Sequence, residues 1–312
     1  MRRPRALCPG DRVALVAPAS PFAREEFDAG VAELRVLGFE PVYERSVFAR
    51  AGYVAGTAAV RAASLQRAWA DPSIAAVMAV RGGYGSVHLL PLLDNAVFDG
   101  TPKAFIGYSD NTSLLTWLTL QRGIVSFHGP MLERRLSRGQ AGYDRDTFMR
   151  CLCRPEPVGE IAHRKVETIR EGEAAGLLVG GTMTQIAASL GTPFAFDPPP
   201  GAVLFLEDVG ERPYRIDRVM TQLKLAGVLR RASALVFGEF IGCDEPGGSP
   251  AIRDVLADLV ADFSGPVLFG LPSGHTAGAL LTLPFGVRTR VVAGPTPVLV
   301  VEEAAVEAEA GS

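Results

Sequence analysis

Gly107, Tyr108, Ser109 and Asp110 lie between a run that reads as a buried strand and an apolar-periodic helix within AFIGYSDNTSLLTWL, Ala104–Leu118. A strand that stops at glycine, presents a hydroxyl and turns at once into a helix is the nucleophile elbow of many hydrolases. The sharp turn lifts the hydroxyl above the sheet edge, and the helix N-terminus aims backbone N–H groups at a developing oxyanion. Asn111 stands where the elbow pattern has its second glycine. Serine, aspartate and asparagine are also ordinary helix N-caps, so the motif alone leaves capping open.

A serine hydroxyl is a poor nucleophile unless a base removes its proton and an acid orients that base. His275 ends PVLFGLPSGH and Glu207 ends AVLFLE, two further buried-looking strands. Ligands of open α/β sheets bind beyond the carboxyl ends of the strands, so all three residues can converge there. The chain order Ser, Glu, His is the hydrolase order. In the alternative, Glu207 caps the following helix and His275 is a hydrogen-bonded turn residue. A glycine turn, RGGYGS at Arg81–Ser86, follows the strand IAAVMAV without the phosphate-loop lysine or the GxGxxG spacing. Such a pair lets backbone approach a substrate and donate an N–H. Gly82 or Gly83, with the N–H of Asp110, would complete a two-donor oxyanion hole; a tight turn without function is the other reading. The glycine pair in LVGGTM, Leu178–Met183, reads as structural.

The elements that must position these residues alternate strand and helix through residue 150. Nearly continuous apolar runs such as IAAVMAV suit strands covered on both faces of a parallel sheet. We expect an α/β chain: a Rossmann-like domain at residues 1–153 with a mainly parallel sheet, then a smaller, mixed β-rich domain at 176–312. Between them the charged, turn-rich segment 154–175 reads as a crossover linker. The acidic, alanine-rich C-terminal end reads as frayed.

Composition narrows the function classes. Of 312 residues, 48% are apolar and 21% charged, and 31 basic against 34 acidic residues give no broad basic surface for nucleic acid. The first twenty residues imitate a secretion signal, but the apolar run Val13–Ala17 is too short and reads as a first strand. No stretch has the roughly 20 uninterrupted apolar residues of a membrane span. Cys8, Cys151, Cys153 and Cys243 show no CxxC pair, and the four histidines no HxxxH pattern. That favours a reduced, cytoplasmic protein without a metal.

Taken together, VALVAPAS, RGGYGS, IGYSDNTSLL, HGPM, LVGGTMTQIAASLGTPF, LFLEDVGERPYRIDRVMTQL and GLPSGH resemble, in order, the LD-carboxypeptidase family of serine peptidases. That family includes muramoyltetrapeptide carboxypeptidases and microcin C immunity peptidases. The resemblance runs from Val13 to about Gly286. It implies Ser109 as nucleophile, Glu207 as orienting acid, His275 as general base, oxyanion donors at Gly82 or Gly83 and Asp110, no cofactor, and commonly a homodimer. Thr182 departs from it, standing where the family often has asparagine.

The implied substrate is a murein tetrapeptide losing D-alanine. Its terminal carboxylate needs a cationic clamp, for which Arg81, Arg212 and Arg215 are candidates, with Gly83 close to the peptide. A microcin-type peptidase would instead cleave a peptidyl or aminoacyl nucleotide and use an aromatic ring to stack on the base. Trp69 and Trp117 fall on predicted helices, whereas Tyr143, near an expected loop, keeps that alternative open. A non-catalytic peptide or sugar binder on the same scaffold is the third reading.

Overall fold

The structure, a computed structural model, describes residues 1–308. The apolar runs of the first half form β1 (Arg12–Val16), β2 (Glu40–Val42), β3 (Ile74–Ala79), β4 (Ala104–Gly107) and β5 (Ser126–His128). These strands are parallel, in the order β5-β4-β3-β1-β2. Every residue of β3 and β4 is buried, as a sheet covered on both faces requires. The strand order reverses at β1 and β3, which opens a crevice at their carboxyl ends. The connections carry α1 (Arg24–Val36), α2 (Ala58–Ala70), α3 (Asn95–Asp99), α4 (Thr112–Thr116) and, beyond β5, α5 (Arg145–Cys153). In α1 the buried Phe27, Gly30, Val31 and Leu34 recur every three or four residues, while Glu25 and Glu26 sit in the first turn. Burying each of the three large side chains contributes about 1.5–3 kcal/mol.

The second half supplies β6 (Pro157–Ile161), β7 (Glu167–Arg170), β8 (Gly172–Thr182), β9 (Ala202–Glu207), β10 (Ala232–Phe237), β11 (Val267–Phe269), β12 (Leu283–Phe285), β13 (Arg288–Ala293) and β14 (Val298–Ala304). Eight of them form a sheet ordered β6-β14-β13-β8-β9-β10-β11-β7. Its centre, β8 to β11, is parallel and its flanks are antiparallel. Helices α6 (Met183–Ser189), α7 (Pro213–Leu225) and α8 (Ile252–Leu259) connect the parallel strands.

Three placements differ from the sequence reading. Segment 154–175 is not a bare linker: it contributes β6 and β7, the two edges of the second sheet, and the start of β8. β12 leaves the second half and pairs antiparallel with β5, completing the first sheet. The C-terminal end packs through Ala305 and Val306, and Glu307 exchanges backbone bonds with Pro4 and Ala6. Beyond residue 308, the expected fraying lies outside the described residues.

The two sheets meet in an aromatic cluster. The His128 ring lies 5.2 Å from that of Phe205 and 5.4 Å from that of Phe285. This joins β5, β9 and β12 directly behind the strand ends that matter for function. Among the described residues, no helix is long and apolar enough to cross a membrane.

Candidate active site

Ser109 follows β4 in a left-handed backbone conformation, φ +63°. A capping serine sits in extended backbone and accepts a helix N–H. Ser109 does neither, and its hydroxyl has no hydrogen-bond partner among the described residues. Holding a β-carbon in this region costs about 1–3 kcal/mol, so the surroundings must impose it. Asn111 helps to do so. Its side-chain amide donates to the carbonyls of Arg81 at 3.2 Å and Tyr108 at 3.3 Å, tying the turn to the strand beside it.

The glycine turn after β3 packs on this elbow. A β-carbon at Gly82 would lie 2.8 Å from Ser109 Cβ and 3.0 Å from its Oγ, so only glycine fits beside Ser109. At Gly83, φ is +99° and a β-carbon would fall 2.4 Å from Ser20 Oγ. Asp110 joins the two turns: its Oδ2 accepts the Ser86 N–H at 2.7 Å, and its carbonyl accepts the Ser86 hydroxyl at 2.6 Å. Gly82, Ser109 and Asp110 thus come together, and the buried Asp110 side chain has a bracing task that the motif did not reveal. Buried Arg61 braces the same rim by donating to the carbonyls of Pro18, Gly56 and Gly85.

Glu207 ends β9 opposite Thr182 in register at the end of β8. It is wholly buried. Its Oε2 accepts the His275 ring Nδ1–H at 2.8 Å and the His275 backbone N–H at 3.0 Å, and its Oε1 accepts the Thr182 hydroxyl. Burial alone would raise the Glu207 pKa; the charge and hydrogen bond of His275, with His128 and Thr182, lower it to about 2. Burial opposes protonation of His275, yet the Glu207 charge and hydrogen bond outweigh it and raise its pKa above the usual imidazole value. With Nδ1–H on Glu207, Nε2 is the ring atom free to take a proton. Glu207 therefore holds the His275 ring and loop, and the N-cap position of the following helix is Arg212 instead.

The His275 loop needs its own support. Gly274 has φ +75°, and a β-carbon there would lie 2.7 Å from the Glu207 carboxyl carbon. The buried guanidinium of Arg135 donates to the carbonyls of Gly274 at 2.9 Å, Thr276 at 3.1 Å and Gly278 at 3.1 Å, and to the Tyr108 hydroxyl at 3.2 Å. One side chain thereby links the His275 loop to the residue preceding Ser109, and the Tyr108 ring stands edge-on to the His275 ring at 5.2 Å. Behind them, Ser273 donates its hydroxyl to the Leu281 carbonyl at 2.8 Å, so it accepts from His128 Nδ1 at 3.0 Å. His128 is kept neutral, its pKa lowered to about 4 chiefly by burial.

Several candidates are displaced. Arg81 is not a free clamp: its guanidinium pairs with Glu133 at 3.0 Å and donates to the Pro21 carbonyl at 2.7 Å. Arg212 pairs with Glu245 and Arg215 with Glu211. Tyr143 offers no stacking face, because its ring is buried and its hydroxyl donates to Glu33 at 2.6 Å. Trp69 and Trp117 are buried as well. Two exposed rings by the glycine turn are Tyr53 and Tyr84, 5.7 Å apart, which sequence patterning did not single out; the Ser20 hydroxyl ties their backbones, donating to the Tyr53 carbonyl and accepting the Tyr84 N–H.

A family model described as the LD-carboxypeptidase N-terminal domain matches residues 13–129, and one described as the C-terminal domain matches residues 175–291. The chain belongs to the LD-carboxypeptidase family. A putative carboxypeptidase of Streptomyces coelicolor is 40% identical over 91% of this chain and 91% of its own length. The murein tetrapeptide carboxypeptidase of Pseudomonas aeruginosa is 33% identical over 85% of this chain and 88% of its own. A solved structure of MccF in complex with glutamyl sulfamoyl guanosine superposes with a TM-score of 0.90, covering 98% of this chain and 100% of the other at 24% identity, a likeness of fold.

Thr182 donates its hydroxyl to the same Glu207 carboxylate that holds the His275 ring. Thr182→Val removes that donor while keeping the shape. We expect kcat to fall about tenfold, because the Thr182 hydroxyl fixes the direction in which Glu207 presents Oε2 to the His275 ring, with KM nearly unchanged. The less solvated carboxylate should hold the imidazolium more tightly, moving the acid limb of the pH–rate profile upward. Thr182→Ser should restore both. An equal loss in the serine variant would mean that side-chain packing at this position, and not the hydroxyl alone, sets the effect.

Proposed function

We propose that this chain is a serine carboxypeptidase that hydrolyses the amide bond between an L-centre and the terminal D-alanine of a murein tetrapeptide. What supports the reading is the left-handed, uncapped Ser109 packed on the Gly82 turn and preceded by Tyr108, whose ring stands 5.2 Å from that of His275, the partner of buried Glu207. His275 Nε2 accepts the Ser109 proton as Oγ attacks the carbonyl, and Glu207 stabilises the imidazolium. Backbone N–H groups of the Gly82 turn and Asp110 stabilise the oxyanion, each worth roughly 10²- to 10³-fold in rate. His275 then protonates the departing amine, and water releases the acyl group from Ser109. No cofactor enters these steps. A cytoplasmic homodimer acting in peptidoglycan recycling fits the cysteine usage and the family.

The exposed Tyr53–Tyr84 pair favours a second reading, in which a nucleobase stacks there and an aminoacyl nucleotide is cleaved. Purified protein offered a murein tetrapeptide and an aminoacyl-sulfamoyl adenylate separates the two. We expect D-alanine release from the first to exceed turnover of the second. The reverse preference would move the assignment to the nucleotide substrate. Failure of a fluorophosphonate to label Ser109 in folded protein would favour a non-catalytic binder.

A further inference from the structure

Resting on the carboxypeptidase reading, the next question is what holds the terminal carboxylate now that Arg81, Arg212 and Arg215 are each engaged by a glutamate. The chemistry restricts the location. The departing nitrogen takes its proton from His275, and the carboxylate carbon lies only two bonds beyond that nitrogen. The clamp must therefore border His275. A cleft of about 210 Å³ does so, lined on one side by Tyr108, Arg134 and Arg138 and on the other by Val209 and Ile241.

Three features make this cleft a receptor for a small anion. No acidic side chain lines it. Arg135, which also borders it, has its guanidinium committed to the loop carbonyls, whereas those of Arg134 and Arg138 make no hydrogen bond or ion pair among the described residues. Among the described residues, Arg134 is also one of three non-glycine residues with positive φ, at +64°, fixed there by its backbone N–H donating to Glu26 at 2.5 Å. Ser109 is another of the three. A strained backbone held at the cleft mouth presents the side chain in one place, and backbone strain of this kind gathers at functional sites.

We propose that this cleft receives the leaving amino acid, with Arg134, assisted by Arg138, pairing with its carboxylate. A guanidinium fork matches a carboxylate with two parallel N–H···O bonds. Val209 and Ile241, both partly exposed, face a small side chain such as methyl. A larger leaving residue would have to displace them.

The test compares a tetrapeptide acid with its C-terminal carboxamide. Wild-type protein should favour the acid. Arg134→Gly keeps the backbone conformation without strain and removes the fork, so the acid-to-amide ratio of kcat/KM should drop about 10- to 100-fold, mainly through KM. Arg134→Lys should recover part of it, and Arg138→Met should lower it less. Thermal melting checks that each variant is folded. An unchanged ratio in folded Arg134→Gly, and in the variant that also carries Arg138→Met, would overturn the inference. Should wild-type protein cleave neither peptide, the murein reading fails, and the cleft is judged without turnover. D-alanine, but not D-alaninamide, should then slow fluorophosphonate labelling of Ser109 in wild-type protein and fail to do so in Arg134→Gly. Equal protection by acid and amide, or none by either, would overturn it.

Discussion

Ser109→Ala is expected to lower D-alanine release by at least about 10⁴-fold while the protein stays folded, since nothing in the fold hangs on the hydroxyl. Its oxygen has no hydrogen-bond partner among the described residues, so its removal strands no buried group. Ser109→Gly should abolish activity to the same extent and raise stability by about 1 kcal/mol, because glycine occupies φ +63° without strain. A gain in stability with loss of activity identifies a position selected for chemistry. Asp110→Ala should behave differently. It leaves the Ser86 N–H unpaired in a buried place, at a cost of about 1–3 kcal/mol. Activity should fall less than in Ser109→Ala, because the Asp110 backbone N–H remains. Melting curves and kcat/KM on the three variants check this ranking, and a larger activity loss in Asp110→Ala would count against Ser109 as nucleophile.

How far the sequence reaches is seen in the same residues. β3, β4 and β9 were legible because strands covered on both faces must be apolar throughout, and Ser109, Gly82 and Glu207 lie at or just beyond their carboxyl ends. β6 and β7 were not. They are edges, with mixed exposure and no apolar run, and their partners β14 and β11 lie far along the chain. β12 has three residues, too few for any period, and only its pairing with β5 defines it. Arg135 was illegible for another reason. Apart from the Tyr108 hydroxyl, its partners are carbonyl oxygens, which every residue carries, so no pattern of side chains announces them. The same blindness explains Arg61, and it explains why Arg81 looked available until Glu133 was seen beside it.

Glu207→Gln tests the acid–base pair most sharply. In the wild-type site three donors converge on the carboxylate: the His275 ring and backbone N–H groups and the Thr182 hydroxyl. A glutamine can still offer its oxygen to His275, so the ring stays in place, but its amide nitrogen then faces Thr182 and the negative charge is gone. The imidazolium formed in the transition state loses its counter-charge, and kcat should fall about 10³- to 10⁴-fold. The pH profile gives the sign. Glu207 raises the His275 pKa, so removing its charge lowers that pKa. His275 works as a base only when neutral, and activity is lost as pH falls through its pKa. The acid limb of the variant must therefore move to lower pH, opposite to the shift expected for Thr182→Val. Because Thr182 acts through the Glu207 charge, the Thr182→Val and Glu207→Gln losses should not add: the double variant should lie within a few-fold of Glu207→Gln alone. Fully additive losses would show that Thr182 serves catalysis by another route, and an acid limb that stays in place would remove His275 from the role of general base.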